Sequence, residues 1–113
     1  MSIKGQMRQG DVLLRRLNTP NEPGDQVPPI NGLLLLAESR VSGNTHTVDA
    51  TCARLWMPAT QVIRGIVIRY LEVTQACSVE HQEHGSMALV PSWYEVRNQR
   101  RATNADEPRA VED

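Results

Sequence analysis

Three histidines and two glutamates are the residues of this sequence best suited to chemistry. His81, His84, Glu80 and Glu83 fall within one short run, and His46 follows a Gly-Asn turn much earlier in the chain. Neutral imidazole is the commonest nitrogen ligand of protein-bound metals, and carboxylates complete many such sites. The run therefore predicts a site for a divalent metal (Zn, Ni, Fe or Mn), in which a glutamate ligates the ion or moves protons.

The strands that carry these histidines must be arranged in one way for the rings to meet. On a regular strand His81 and His84 point to opposite faces, because an interval of three positions is odd. They converge only if the strand ends near Gln82 and Gly85 permits a sharp turn. His46 must then arrive from a neighbouring strand. The alternative is a set of turn histidines that face solvent.

A second group of residues is basic. The segment 94–101 (YEVRNQRR) predicts a terminal strand with Tyr94 and Val96 facing the core. A surface for phosphate groups or for a partner would combine the following residues: Arg97, Gln99, Arg100, Arg101, Arg15 and Arg16, with Arg64 and Arg69 nearby. Trp56 or Trp93 would stack a base on such a surface. Because the chain has no Phe, we expect both tryptophans in the core instead.

Cys52 and Cys77 are the two cysteines of the chain. Neither belongs to a C-x-x-C pair, so a thiolate metal site has little support from spacing. We expect both to be small buried residues, and the sequence leaves open whether they are neighbours.

Hydrophobic alternation predicts short strands along the whole chain. Residues 20–32 form a proline-rich loop, and Leu33 to Leu36 predict a strand buried on both faces. The strongest strand runs from Val62 to Thr74, with Gly65 as a bulge. Its two faces are Ile66, Ile68 and Tyr70 on one side, and Val67, Arg69, Leu71 and Val73 on the other. No segment shows sustained helical spacing, so we expect an all-β fold of about eight short strands, a barrel or a sandwich.

Length and charge predict one domain followed by a tail. The chain has 113 residues, with 12 basic and 13 acidic side chains. Positions 1–101 hold 11 basic and 9 acidic residues, whereas 102–113 are acidic with little to bury. We therefore expect a β domain over 1–101 and a disordered acidic tail over 102–113. The near-neutral total argues against a general polyanion binder.

Several classes of protein are excluded by pattern. No apolar run is long enough for a membrane helix, and the first residues lack the apolar core of a secretory signal. Two cysteines do not make a disulfide-dense secreted domain. We therefore expect a cytoplasmic protein that does not enter a membrane.

Three motifs resemble those of a known group. The runs QGDVLL at 9–14, HQEH at 81–84 and YEVRNQR at 94–100 are similar to a small group of uncharacterised bacterial and phage-borne β proteins. This resemblance implies that the histidine turn and the final strand belong to one design, and it implies a mobile-element origin. Strand number and histidine content also resemble the cupins and their jelly-roll barrel. His46, however, lacks the second histidine of the first cupin motif.

Three functions remain open at this level. The first is a non-catalytic accessory or interaction module that acts through protein contacts and can form a homodimer through exposed sheet edges. The second is a cupin-like metal-dependent enzyme that uses the histidine cluster. The third is a weak binder of single-stranded nucleic acid.

Overall fold

The structure is a computed structural model that describes residues 5–38, 42–60, 62–99, 101–103 and 107–109. These residues form strands, turns and irregular connections and contain no helix, which confirms the all-β prediction. Within this part of the chain there is accordingly no helix long and apolar enough to cross a lipid bilayer.

The described residues form more strands than the sequence predicted. In chain order they are β1 Gln6–Gln9, β2 Val12–Leu17, β3 Asp25–Val27, β4 Leu33–Glu38, β5 Thr45–Asp49, β6 Ala53–Met57, β7 Val62–Ile63, β8 Ile66–Val73, β9 Cys77–His81, β10 Gly85–Leu89, β11 Ser92–Gln99, β12 Arg101–Thr103 and β13 Glu107–Arg109. Most are short, as expected where turn residues interrupt an alternating pattern.

Two antiparallel sheets contain most of these strands. A seven-stranded sheet has the order β1-β2-β11-β8-β6-β3, and β7 pairs with the first two residues of β8. A four-stranded sheet has the order β10-β9-β5-β4. Each sheet keeps two open edges, so the fold is sandwich-like, and the alternative of a closed barrel is wrong.

The core lies between the inner faces of the two sheets. Its buried hydrophobic members are Val12, Leu14, Leu34, Leu36, Val48, Ala53, Leu55, Leu71, Val73, Val79, Leu89, Tyr94 and Val96. Alternate residues of each strand contribute to this layer, because successive side chains of a strand point to opposite faces. The predicted inward positions Tyr94 and Val96 are both fully buried.

Two expectations about individual strands are wrong. Leu33–Leu36 is not buried on both faces, since only Leu34 and Leu36 are buried and Leu33 is 44% exposed. The reason is that β4 is an edge strand of a two-layer fold, in which only one face of the sheet is covered. The segment 62–74 is also not one strand.

A tight hairpin divides the segment 62–74. Arg64 and Gly65 have φ values of 52° and 79°, so both central residues of the turn are left-handed. Two-residue hairpins favour such turns because their twist matches that of the strands. The glycine that suggested a bulge therefore marks a chain reversal between β7 and β8. The two predicted faces of β8 itself are confirmed, with Leu71 and Val73 in the core.

The end of the chain is described in part. β12 and β13 pair antiparallel, with Arg101 opposite Arg109. Residues 104–106 and 110–113, which belong to the predicted acidic tail, lie outside the described residues. The boundary at 101 and the disorder of 102–113 stay predictions.

Candidate functional site

His46 and His81 face each other across two neighbouring strands. They are direct partners in the antiparallel register of β5 and β9. Their ring centroids lie 4.3 Å apart, and the two side chains are 0% and 5% exposed. Both rings point inward, because Val48 and Val79 at the next positions on the same face belong to the core. The expectation that His46 arrives from a neighbouring strand is confirmed.

His84 joins the pair through a sharp turn. β9 ends at His81, and β10 begins at Gly85, whose φ is 74°. The ring of His84 lies 4.5 Å from that of His81 and 6.5 Å from that of His46, between centroids. The turn at Gln82 and Gly85 therefore brings the three imidazoles together as the spacing required. We call His46, His81 and His84 the histidine cluster.

Gln9 fixes the tautomer of His46, a role that no sequence pattern indicated. Its side-chain amide nitrogen donates hydrogen bonds to the carbonyls of Val79 (3.1 Å) and Gly85 (3.0 Å). Its carbonyl oxygen must then be the atom that lies 2.8 Å from Nδ1 of His46. Because an amide oxygen only accepts, Nδ1 of His46 carries the hydrogen, and its Nε2 holds the lone pair when the ring is neutral.

His81 has the opposite tautomer. Its Nδ1 accepts hydrogen bonds from the backbone N–H groups of Glu83 and His84, both at 3.0 Å. An acceptor nitrogen holds a lone pair, so in the neutral ring the hydrogen sits on Nε2, which is completely enclosed. The ring of His81 therefore stabilises the turn that carries His84, because it accepts the two backbone N–H groups of that turn.

The two glutamates of the predicted metal site, Glu80 and Glu83, form hydrogen bonds with other polar residues and not with the histidine cluster. Glu80 accepts hydrogen bonds from the hydroxyls of Ser78 and Ser86, and these bonds lower the pKa of its carboxyl group. It lies on the opposite face of β9 from His81. Glu83 accepts a hydrogen bond from the Asn44 amide at 2.7 Å. Both carboxylates are therefore engaged with neutral polar groups of the turns.

Metal binding by these residues stays a prediction. Among the described residues, no group of three or more His, Cys, Asp or Glu side chains has a geometry that would hold a metal ion. Ligation through Nε2 of His81 would remove its hydrogen while two N–H groups still occupy Nδ1. A neutral imidazole cannot satisfy both demands, so the turn would have to rearrange.

The predicted basic residues separate into several places. Arg97 and Arg15 lie on the outer face of the seven-stranded sheet, the face that points away from the core. Their guanidinium groups pair with Glu95 at 2.5 Å and 3.7 Å. Arg16 points to the other side of β2, is exposed, and donates to the Ser92 hydroxyl at 3.2 Å.

The other predicted basic positions do not extend this group. Gln99 ends β11 and Arg101 begins β12, and Arg100 lies outside the described residues. Arg64 occupies the left-handed turn between β7 and β8. Arg69 faces the core side of β8 and donates to backbone carbonyls of β4. One continuous basic surface is therefore not formed by the described residues.

Both tryptophans lie on the outer face, so their expected place in the core is wrong. Trp56 and Trp93 are partly exposed and alternate with the buried residues Leu55 and Tyr94. Their rings are 6.4 Å apart between centroids. Aliphatic side chains and Tyr94 fill the narrow core, which leaves the indoles on the opposite face.

The outer face is a mixed aromatic and charged surface. Its members, taken from alternate positions of β1, β2, β6, β8 and β11, are Arg8, Leu13, Arg15, Leu17, Arg54, Trp56, Ile68, Tyr70, Glu72, Trp93, Glu95 and Arg97. The indole N–H of Trp56 donates to Glu72 at 3.2 Å, and Arg54 pairs with the same carboxylate at 3.5 Å. The hydrogen bond to Glu72 orients the indole of Trp56 on this face.

A depression of about 410 Å³ opens on this face. Its lining includes the apolar or aromatic residues Pro58, Ile63, Ile68 and Tyr70 and the charged pair Glu95 and Arg97. Ile63 is 48% exposed, so the lining presents an apolar side chain to solvent together with Glu95 and Arg97. The lining of the depression thus mixes apolar side chains with the charged side chains of Glu22, Glu95 and Arg97.

Comparison with known proteins adds a family. A family model described as a domain of unknown function, DUF8820, matches residues 8–99. The chain belongs to this family. The matched part of the DUF8820 protein spans the histidine cluster and most of the outer face, from β1 to the end of β11. No curated protein and no solved structure matches the chain.

The DUF8820 domain also brings its two cysteines together. The carbonyl of Cys52 accepts hydrogen bonds from the N–H groups of Thr74 and Gln75, two to three residues before Cys77. Both cysteines are reduced and partly exposed, so the expectation that they are buried is wrong. Burial raises the pKa of the Cys77 thiol to about 11, and the neighbouring Cys52 and Asp49 add to this shift. The sequence left open whether Cys52 and Cys77 are neighbours, and the structure places them close together at one end of the sandwich.

Proposed function

We propose that this DUF8820 protein is a non-catalytic interaction module that binds a protein partner through its outer face. The observation that carries the proposal is the partial exposure of Trp56 and Trp93 on a solvent-facing sheet. Trp, Tyr and Arg are the residues most enriched at the energetic centres of protein interfaces. Indoles that the core does not use are therefore available to a partner.

The arrangement of charge favours a protein over a nucleic acid. Glu72 and Glu95 lie in the middle of the outer face, between the aromatic side chains. A phosphate backbone carries a negative charge at every nucleotide and would meet the partly exposed Glu72, whereas Glu95 is buried beneath its arginine partners. The nearest cations, Arg54, Arg15 and Arg97, already pair with them. A protein segment, in contrast, does not carry a charge at every residue, so its acidic side chains can be limited to positions that lie near an arginine.

The partner we propose is an acidic segment with a bulky apolar side chain. The four arginines of the outer face, Arg8, Arg15, Arg54 and Arg97, exceed by one the three glutamates Glu22, Glu72 and Glu95 of this face and its depression. A partner carboxylate would therefore share Arg15, Arg54 or Arg97 with the glutamate that each already contacts. The depression offers apolar walls for one side chain. Carboxylates beside that side chain would complement the arginines and speed association.

A random linear peptide library displayed on phage tests this proposal. We expect selection on the folded protein to enrich sequences with Asp or Glu around a large apolar residue. Trp93→Ala should weaken the selected peptides by about tenfold or more, as loss of a central aromatic anchor does. Ile30→Ala is the matched control, because Ile30 is 65% exposed at a different turn.

Two results would count against the proposal. One is a selection that yields no enriched sequence, or peptides that bind Trp93→Ala as tightly as the wild type. The other is tight binding of an oligothymidylate that weakens steeply with salt and is lost in Trp93→Ala, which would indicate a nucleic-acid ligand.

Cellular context belongs to the same proposal. The family match supports an uncharacterised β protein. We propose in addition a bacterial or mobile-element origin, a cytoplasmic location and a homodimer formed through the open edges of the sheets. Sedimentation across a range of concentrations would test the dimer.

The cupin-like enzyme stays a prediction, because no described contact favours it over the structural role of His81.

A further inference from the structure

Cys52 and Cys77 come from opposite sheets and meet at one end of the sandwich. Cys52 closes the turn after β5, where its N–H donates to the Asp49 carbonyl at 3.1 Å, and it directly precedes β6 of the seven-stranded sheet. Cys77 is the first residue of β9 in the four-stranded sheet. A bond between their sulfur atoms would therefore join the two layers.

Backbone contacts hold the two cysteines close together. The carbonyl of Cys52 accepts hydrogen bonds from the N–H groups of Thr74 (2.8 Å) and Gln75 (3.4 Å), just before Cys77. The side chain of Gln75 also donates to the Thr51 carbonyl at 3.0 Å. Cys52 lies near enough to Cys77 to contribute to the raised pKa of its thiol. These contacts tie the 51–52 turn to the segment that leads into Cys77.

We propose that Cys52 and Cys77 are a reversible dithiol–disulfide site that locks the two sheets together. This site is separate from the outer face, so it does not depend on the proposed binding function. The oxidant we propose is a small-molecule disulfide of the glutathione class. Oxidation would add a covalent bond between the 51–52 turn and the start of β9, which otherwise contact each other through hydrogen bonds and packing.

The exchange proceeds in two steps. The Cys52 thiol loses its proton to solvent, and the thiolate attacks one sulfur of the small-molecule disulfide and expels one thiolate. Cys77 then loses its proton, attacks the Cys52 sulfur of the mixed disulfide and expels the second small thiolate. The protein loses two electrons and two protons, and the disulfide is reduced to two thiols. We assign the first attack to Cys52, because the raised pKa of Cys77 leaves little of its thiolate at neutral pH. The second attack by Cys77 is intramolecular, so the closeness of the two residues offsets its low thiolate fraction.

Oxidation of the full chain with oxidised glutathione tests the site. Intact mass spectrometry should show the loss of two hydrogens and no added glutathione, and iodoacetamide should no longer label either cysteine. The unfolding temperature should rise on the order of 10 °C relative to the reduced protein, because the crosslink restricts the unfolded chain. Addition of dithiothreitol should reverse both changes.

Single variants separate the steps. Cys77→Ser should stop at a glutathione adduct on Cys52, and Cys52→Ser should react much more slowly than Cys77→Ser. Three outcomes would overturn the proposal: wild-type protein with glutathione on both thiols, disulfide-linked dimers on a non-reducing gel, or an unreacted dithiol at an oxidant level that modifies Cys77→Ser.

Discussion

Arg69 of the seven-stranded sheet donates a hydrogen bond to the backbone carbonyl of Leu36 in the edge strand of the other sheet. The same guanidinium reaches the Leu35 carbonyl at 3.3 Å, and the Asn98 amide donates to Leu36 at 2.5 Å. Burial lowers the pKa of Arg69, yet the group stays charged. These bonds satisfy carbonyls at the bulge of β4, between Leu35 and Ala37, where ladder pairing is interrupted.

Replacement of Arg69 by methionine should destabilise the fold. Arg69→Met keeps an apolar stem of similar length but leaves two backbone carbonyls without their charged donor, so we expect a loss of about 2 kcal/mol. Arg54→Met is the control, since Arg54 forms only a surface ion pair and should change stability by less than about 0.5 kcal/mol. Urea denaturation measures both, and equal effects would show that Arg69 adds nothing specific.

His81 should matter as a hydrogen-bond acceptor in the turn. His81→Leu keeps the apolar bulk but leaves the N–H groups of Glu83 and His84 unpaired, at a cost of about 1 kcal/mol each. His81→Asn places an amide oxygen near the position of Nδ1 and should preserve the turn. Hydrogen exchange at these two amides measures the effect. Faster exchange in both variants would mean that ring packing, and not the acceptor, holds the turn.

Trp93 and Tyr94 should behave oppositely although they are adjacent. Tyr94 is fully buried and its hydroxyl donates to the Val90 carbonyl at 2.7 Å. We expect Tyr94→Ala to cost about 4 kcal/mol and Tyr94→Phe about 1 kcal/mol. Trp93→Ala, on the outer face, should cost no more than about 1 kcal/mol. Thermal and urea unfolding check the contrast, and a Trp93→Ala loss as large as that of Tyr94→Ala would place the indole in the core.

Alkaline pH should weaken the fold partly through Cys77. The thiol has a pKa of about 11 in the folded protein against a reference value of 9.0 for the free side chain. A raised folded pKa stabilises the protein below pH 9, and this contribution is lost as the pH rises from 9 to 11. Cys77→Ala should show a smaller decline in urea midpoint over that range.

A comparison of two variants isolates this effect from the other alkaline titrations. Burial also raises the pKa of Tyr94, so the wild type alone does not identify the group. The difference between wild type and Cys77→Ala removes the tyrosine contribution, because both proteins contain it. Identical declines in the two proteins would contradict the assignment to Cys77.

Much of the local structure followed from the pattern of side chains. Alternation in β11 identified Tyr94 and Val96 as inward-facing, and alternation in β8 placed Leu71 and Val73 together on one face, because a strand presents every second residue to one face. For the histidines, the spacing gave only the condition for convergence, a sharp turn at Gly85, and the structure shows that this turn is present. The split of 62–74 was missed because Arg64 adopts a left-handed conformation that arginine rarely takes.

The partners of the site residues could not be read from the sequence. Gln9 lies 37 positions from His46, and Arg69 lies 33 positions from Leu36. No local pattern marks such contacts, because they depend on which strand lies opposite which across the sandwich. The tryptophans illustrate the same limit, since hydrophobicity alone placed them in a core that aliphatic residues already fill.

The sequence by itself determined the all-β class and the alternating faces of the long strands, because these depend on the side-chain period over a few residues. Only the tertiary structure decided that the sheets stay open, that the indoles face outward and that the two thiols meet. Those outcomes depend on strand order and layer packing, which bring together residues that are remote along the chain.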